Sequence, residues 1–196
     1  MRIAIYGATG AIGSALVHEA ASRGHDVTGI SRRGGSDLVG DALDATFATA
    51  VAEKHDVVIS AVGPSRTEDD GTRFVDTIAN LVATLGDRRL LVVGGAGSLT
   101  VDGVRLVDTP EFPEIYKAEA LKGAATLELL RSTPSDVDWT YLSPAPLIVP
   151  GERTGVYKTG DESPVGDQIS IEDYAVALVD EIEKPAHVRA RFTVAN

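Results

Sequence analysis

Cysteine is absent from this 196-residue sequence, and aromatic residues make up only 5% of it. Without cysteine the chain forms neither disulfides nor thiolate zinc sites. Its histidines, His18, His25, His55 and His187, lack the i, i+4 spacing of a helical metal site. We therefore expect no metal centre.

Long apolar runs and excess positive charge are also missing. No stretch approaches the roughly 20 apolar residues that span a bilayer, and the chain opens on an apolar strand instead of a charged leader with a cleavage site. The net charge of -11 disfavours nucleic acid and anionic membranes, since both require a basic surface. The acidic cluster Glu68-Asp69-Asp70 is interpreted as a solvated loop before a helix. We expect a cytoplasmic protein with no nucleic-acid or membrane partner.

Glycine, in contrast, is concentrated near the start of the chain. Residues 3–13 read IAIYGATGAIG, which places Gly7, Gly10 and Gly13 three residues apart directly after an apolar strand. Gly7 permits the tight turn, Gly10 lets a pyrophosphate approach the backbone, and Gly13 lets the next helix pack closely on the strand. The N-terminus of that helix offers N–H groups and the positive end of its dipole to phosphates. The segment predicts a nucleotide-binding turn, although its GxxGxxG spacing differs from the usual GxGxxG.

Strand and helix patterns alternate along the chain. The patterns predict strands over residues 1–6, 27–31, 56–61, 89–94, 139–142 and 191–195, a short segment at 37–40, and helices near 12–20, 44–53, 75–85, 114–132 and 170–182. This alternation predicts one α/β domain over residues 1–196, a Rossmann-like doubly wound fold with a mainly parallel sheet and helices on both faces. The segments at about 96–113 and 143–168 are expected to be loops that close over the ligand.

In such a sheet the ligand lies beyond the carboxyl ends of the strands. An NAD-preferring protein usually has Asp or Glu at the end of the second strand, but this chain has Ser31-Arg32-Arg33. Two guanidiniums there favour the 2′-phosphate of NADP(H) over the ribose hydroxyl of NAD(H), unless they are solvated surface charges. Asp41 and Ala42 are expected to border the adenine, although a turn Asp is equally ordinary at that point.

The chain resembles the atypical short-chain dehydrogenase/reductase group, and within it the NmrA-like NAD(P)H-binding proteins of the NADH-flavin reductase subgroup. The resemblance covers essentially the whole chain and rests on GATGAIG, DVVISAVG, VVGGAGSL, YKAEAL, DWTYLSPA and ISIEDYAVAL in that order. It implies an NADP-binding Rossmann domain. The implied cofactor contacts are Gly7, Thr9, Gly10, Ala11, Ile12, Gly13, Arg32, Arg33, Ala61 and Val62.

Many members of that group catalyse with a Ser, a Tyr and a Lys four positions after the Tyr. Ser98 and Tyr116 are the candidates here, but position 120 is Ala. Lys117 follows Tyr116 directly and so points about 100° away from it on a helix. If the helix begins only after this pair, Lys117 can still reach the nicotinamide ribose. The alternative for Tyr116 is an aromatic residue at a helix start that packs on the preceding loop.

Two classes of function follow from these residues. The first is an NADPH-dependent reductase of a flavin or another planar, quinone-like acceptor, since hydride transfer between stacked rings depends mainly on positioning. The second is a non-catalytic NADP(H)-responsive redox sensor or regulatory protein. A sugar-nucleotide epimerase is disfavoured because the Tyr-x-x-x-Lys pair is missing and the chain is short. Nothing in the sequence requires a dimer.

Overall fold

The computed structural model describes residues 1–63 and 72–196, so the Glu68-Asp69-Asp70 cluster lies outside the described residues. The strands of the described residues are β1 (Arg2–Tyr6), β2 (Asp26–Ser31), β3 (Leu38–Val39), β4 (Val57–Ser60), β5 (Arg89–Val93), β6 (Thr100–Val101), β7 (Val104–Arg105), β8 (Trp139–Pro144), β9 (Leu147–Val149), β10 (Lys158–Gly160), β11 (Gln168–Ser170) and β12 (Ala190–Ala195). The helices are α1 (Ala11–Ser22), α2 (Ala45–Lys54), α3 (Thr72–Thr84), α4 (Glu114–Arg131) and α5 (Ile171–Glu183).

One sheet of eight strands organises the molecule, in the order β10-β12-β8-β5-β4-β1-β2-β3. Every neighbouring pair is parallel except β10 and β12, where Lys158 opposes Ala195. The strand order reverses at β1, because Ile3 is in register with Val27 of β2 on one side and with Val57 of β4 on the other. A crevice at this reversal is the usual ligand site of doubly wound folds. The predicted Rossmann-like fold is confirmed.

Two apolar cores cover the two faces of the sheet, since successive strand residues point to opposite sides. Ile3 and Ile5 of β1 pack with α1 and α5, in a core that includes Leu16 and Leu178. Their neighbours Ala4 and Tyr6 pack on the other face, in a core built on α2, α3 and α4. Both faces of β1 are therefore buried, which fixes the strand and holds the turn that follows it.

Two helices begin at polar caps that the sequence encodes. The Asp44 carboxylate accepts hydrogen bonds from the backbone N–H groups of Thr46 and Phe47 at 3.0 and 3.1 Å. At α5 the Ser170 hydroxyl accepts from the Asp173 N–H at 3.0 Å. Each cap satisfies backbone donors that would otherwise lack a partner in the first turn.

The segments 96–113 and 143–168 are more ordered than the loops that the sequence predicts. In the first, β6 and β7 form an antiparallel hairpin, and in the second, β9 pairs in parallel with β11. The hairpin turn is Asp102-Gly103, with φ of 51° and 81°. Asp-Gly is a favoured dipeptide for such turns, but strands of two or three residues are too short to show a periodic pattern.

The two segments also contact each other, because the Thr100 N–H donates to the Glu162 carbonyl oxygen at 2.8 Å. Among the described residues, no helix has the length and hydrophobicity needed to cross a membrane.

Candidate nucleotide-binding site

A cavity of about 420 Å³ lies at the carboxyl ends of β1, β2 and β4, beside the reversal in strand order. Its lining contains nine of the twelve residues that the sequence predicts for cofactor binding. These are Gly7, Thr9, Gly10, Arg32, Arg33, Asp41, Ala42, Ala61 and Val62. The other three, Ala11, Ile12 and Gly13, form the first turn of α1.

The glycine turn brings backbone segments too close together for side chains. Gly7 has φ of +82°, and a Cβ atom there would lie 2.6 Å from the Ala61 carbonyl oxygen. A Cβ atom on Gly13 would lie 2.0 Å from the Gly7 carbonyl oxygen. Gly10 differs, because a Cβ atom there would meet only the Gly7 oxygen, at 3.3 Å, among the described residues. Gly7 and Gly13 are thus required by the fold itself, whereas Gly10 faces the cavity.

The N-terminus of α1 is open at this turn. Gly10 is its capping residue, no side chain of residues 1–63 or 72–196 caps the first-turn N–H groups, and no acidic residue lies in that turn. A helix end in this state favours an anion by about 0.3–1 kcal/mol when exposed and by up to about 2 kcal/mol when partly buried. The turn can therefore hold a phosphate through backbone N–H groups.

Positive charge is concentrated at the end of the cavity that the loop after β2 forms. Arg32 and Arg33 follow β2, and both are exposed and line the cavity. Within residues 1–63 and 72–196, Arg32 has no acidic partner. The loop that carries them is held by Ser31, whose hydroxyl donates to the Gly34 carbonyl oxygen at 2.7 Å. This end of the cavity suits a phosphate dianion, which guanidinium groups bind through charge-assisted hydrogen bonds.

The Asp41-Ala42 segment forms the adjoining wall. The Asp41 carboxylate accepts from the Leu43 N–H at 3.0 Å and forms an ion pair with Arg73. Ala42 is 5% exposed, and its carbonyl oxygen accepts from the Asn80 side-chain amide at 2.7 Å. Helix α3 therefore anchors this wall through both its first and its third turn.

Eight lining residues were not among the predicted cofactor contacts, and three of these eight, Arg73, Phe74 and Thr77, belong to α3. The apolar pattern of α3 indicates a helix only from residue 75, whereas the helix begins at Thr72. The available signal is topological, because a helix that follows β4 begins at the same edge of the sheet as the glycine turn. Tyr6 completes this side, and burial raises the pKa of its hydroxyl.

The candidate catalytic residues lie outside the cavity lining. Ser98 is buried, and its hydroxyl accepts from the Arg191 guanidinium at 3.3 Å. Arg191 is itself buried and forms an ion pair with Glu162. Tyr116 is 47% exposed in the first turn of α4, and Lys117 lies 3.7 Å from Glu114. In this arrangement the Ser98 hydroxyl and the Lys117 ammonium group are each engaged by neighbouring charges.

The turn at residues 96–98 packs directly on α4 four residues after Tyr116. A Cβ atom on Gly97 would lie 2.6 Å from the Ala120 Cβ atom. Position 120 therefore holds a small residue against this turn, and the lysine of the Tyr-x-x-x-Lys pair is missing there.

A buried tyrosine holds the end of β5 near the same turn. Tyr141 donates its hydroxyl hydrogen to the Gly123 carbonyl oxygen at 3.0 Å and accepts from the Gly95 N–H at 3.1 Å. A Cβ atom on Gly94 would lie 2.2 Å from the Tyr141 ring. Burial raises the pKa of Tyr141 to about 12. The phenol is thus a neutral structural group, and it requires a glycine at position 94.

A doubly wound sheet with a glycine turn at its reversal point and an anion-binding cavity beyond it defines a dinucleotide-binding protein. The comparison with known families agrees, because the NAD(P)H-binding family matches residues 7–185. The chain belongs to this family. The predicted membership of the atypical, NmrA-like short-chain dehydrogenase/reductase group is likewise confirmed.

Full-length relatives are found among known proteins. The uncharacterized protein YwnB of Bacillus subtilis (strain 168) is 40% identical over 213 residues, which cover 100% of this chain and 99% of that protein. A solved structure of a candidate exported protein from Burkholderia pseudomallei is 41% identical, with a TM-score of 0.89 and full coverage of both chains. The structure of SP1627, a candidate NADH-flavin reductase from Streptococcus pneumoniae TIGR4, is 36% identical with a TM-score of 0.90, over 100% of this chain and 99% of that one.

Proposed function

We propose that the protein is an NADPH-dependent oxidoreductase that transfers hydride to a flavin or a quinone-like planar acceptor. The observation that carries the proposal is the cavity, which combines the N-terminus of α1 at the glycine turn with Arg32 and Arg33 on the loop after β2. These two features match the two kinds of phosphate in NADP(H). The absence of a carboxylate at the end of β2 favours NADP(H) over NAD(H).

Each part of the cavity has a role toward the cofactor. The glycine turn would hold the pyrophosphate by backbone N–H groups, and Gly10 leaves the room that this approach needs. Arg32 and Arg33 would bind the 2′-phosphate, and Asp41 with Ala42 would border the adenine. Bound NADPH supplies the hydride. The overall step converts NADPH, a proton and the oxidised acceptor to NADP⁺ and the reduced acceptor.

The missing lysine at position 120 favours a planar acceptor. Carbonyl reduction in related enzymes uses a tyrosine whose pKa is lowered by a lysine one helical turn away, and here that position is Ala120. Hydride transfer between stacked rings requires positioning and exclusion of water more than a protein acid. The Streptococcus pneumoniae relative, described as a candidate NADH-flavin reductase, supports this choice.

The missing lysine at position 120 also supports the alternative function, a non-catalytic NADP(H) sensor, because a sensor needs no proton relay. Stopped-flow absorbance at 340 nm separates the two when NADPH is mixed anaerobically with the protein and FMN, riboflavin or a benzoquinone. We expect acceptor-dependent oxidation of NADPH that Gly10→Val abolishes. No oxidation above the protein-free rate, with NADPH still bound, would assign the protein to the sensor class.

Tyr116 and Lys117 are tested in the same assay. Because Tyr116 is half-exposed and lacks the i+4 lysine, we expect Tyr116→Phe to reduce the rate only a few-fold. Complete loss of activity in a folded Tyr116→Phe variant would instead establish a proton relay through this residue. Ser98→Ala and Lys117→Met serve as companions, and a loss shared by all three would identify them as one catalytic group.

We also propose that the protein acts in the cytoplasm, where NADPH is regenerated. Cell fractionation with a specific antibody tests this localisation. Recovery of the protein in the extracellular fraction would contradict it.

A further inference from the structure

An ion pair forms part of the cavity wall beside α3. Asp41 extends from the segment after β3, and Arg73 extends from the first turn of α3 to meet it. Their side chains are 39% and 40% exposed, respectively. Asp41 is the only acidic residue that lines the cavity among the described residues, and the lining arginines among them are Arg32, Arg33 and Arg73.

The two partners differ in how firmly they are held. One Asp41 oxygen accepts from the Leu43 N–H at 3.0 Å, and the adjoining Ala42 carbonyl is fixed by Asn80 at 2.7 Å. The carboxylate is therefore tied to its own loop. Arg73 has a long side chain whose guanidinium reaches Asp41 from the neighbouring helix. If the pair opens, Arg73 is the partner that moves and Asp41 is the one that stays.

We infer that the Asp41–Arg73 pair sets the preference between NADP(H) and NAD(H). This inference rests on the proposed function. A 2′-phosphate dianion competes with Asp41 for Arg73, since an exposed ion pair is weak and a guanidinium binds phosphate in a bidentate manner. NAD(H) carries only a hydroxyl at that position, so the pair persists when NAD(H) binds, and Asp41 is available to accept a hydrogen bond from the ribose.

The two residues then have opposite effects on NADPH. Arg73 adds a cation to the phosphate site, so its loss weakens NADPH binding and leaves NADH nearly unchanged. Asp41 withholds that cation and places a negative charge beside the phosphate, so its neutralisation strengthens NADPH binding. The native preference for NADPH is thus smaller than Arg32, Arg33 and Arg73 alone would produce.

The experiment measures dissociation constants of NADPH and NADH by calorimetry for the wild type, Asp41→Asn, Arg73→Gln and the double variant, all at one salt concentration. We expect Arg73→Gln to weaken NADPH by about tenfold and NADH by less than about twofold, as for loss of one charge-assisted contact. We expect Asp41→Asn to tighten NADPH by roughly threefold or more through removal of a like charge. In the double variant the effect of Asp41→Asn should shrink, because no Arg73 is left to release.

A matched control pair lies elsewhere on the surface. Arg105 and Asp108 are 43% and 44% exposed and form an ion pair outside the cavity. Arg105→Gln should change neither affinity. The fragments 2′,5′-ADP and 5′-AMP isolate the phosphate contact, and Arg73→Gln should weaken only the former.

The outcomes separate this inference from the proposed function. If the folded wild type binds neither dinucleotide, the proposed function fails. If the wild type binds both and Arg73→Gln weakens NADPH and NADH equally, or Asp41→Asn weakens NADPH, the inference is overturned while the nucleotide site stands. Thermal unfolding of each variant shows whether it retains the fold.

Discussion

Gly10 and Gly13 are three residues apart in one motif, yet we predict that replacing them with alanine has different consequences. At Gly13 a Cβ atom would lie 2.0 Å from the Gly7 carbonyl oxygen, against an ordinary contact of 3.4 Å or more, so the start of α1 must move by about 1.4 Å. Overpacking of this kind costs about 1–3 kcal/mol. For a domain of this size that lowers Tm by about 2–12 °C.

At Gly10 the nearest described atom to a Cβ would be the Gly7 oxygen at 3.3 Å, so Gly10→Ala needs almost no adjustment. Its φ of -76° is open to any residue. We expect Tm to change by less than about 2 °C, in keeping with a surface substitution. NADPH binding should nevertheless weaken by about tenfold or more, because the methyl group lies where the phosphate meets the backbone and displaces charge-assisted hydrogen bonds. Gly10→Val should weaken it further.

Scanning calorimetry and NADPH titration of the variants test both halves of this reasoning. Gly24→Ala is a control for a glycine away from the cavity, and its φ of +81° means that this variant also strains the backbone. Gly34 has a similar φ of +87°, but it lies in the loop of Arg32 and Arg33 and so cannot serve as a control. A stable Gly13→Ala would refute the packing argument. Unchanged NADPH affinity in Gly10→Val would refute the assignment of the phosphate site.

Three further results are expected. Replacing both Arg32 and Arg33 with alanine should weaken NADPH binding by roughly tenfold or more. NADH binding should stay unchanged or become slightly tighter, so that the preference for NADPH disappears. An equal loss of affinity for both cofactors would contradict this. The fully buried Asp173 carboxylate accepts hydrogen bonds from Thr154, Gly155 and Asn196 at 2.6–2.9 Å. Asp173→Asn should therefore lower the free energy of unfolding by about 1.5–3 kcal/mol in urea titrations. An unchanged midpoint would contradict this. Burial acts to raise the pKa of Asp173, but these hydrogen bonds outweigh it and lower that pKa below the usual aspartate value. The stabilisation is therefore present above the unfolded-state pKa and lost as pH falls through the folded value, and Asp173→Asn should show a weaker acid dependence there than the wild type.

Much of the fold could be predicted because long elements carry long patterns. The alternation of strands and helices was sufficient for the parallel sheet, and the close approach at Gly13 follows from the spacing of the motif. The Ser170 cap of α5 could also be predicted from the sequence. The short strands β6, β7, β9 and β11 were not, since they consist of two or three residues and depend on pairing with distant segments.

The site was predictable where one segment of chain builds it. Arg32 and Arg33 follow β2 directly, so their position at the cavity edge follows from topology. Arg73 was missed because its role depends on meeting Asp41, which lies 32 residues earlier in the chain. The requirement for glycine at position 94 likewise depends on the Tyr141 ring, which comes from a distant segment of the chain. Contacts between distant segments have no periodic signal in a single sequence.

The central claim is that the cavity is an NADP(H) site. Calorimetric titration of the wild-type protein with NADPH and with NADH at one fixed salt concentration tests it most directly, because salt screens the phosphate contacts. The account predicts saturable binding of one NADPH per chain with a clearly weaker affinity for NADH. Equal affinity for the two cofactors would show that Arg32 and Arg33 are solvated surface charges, and it would contradict the assignment of NADP(H).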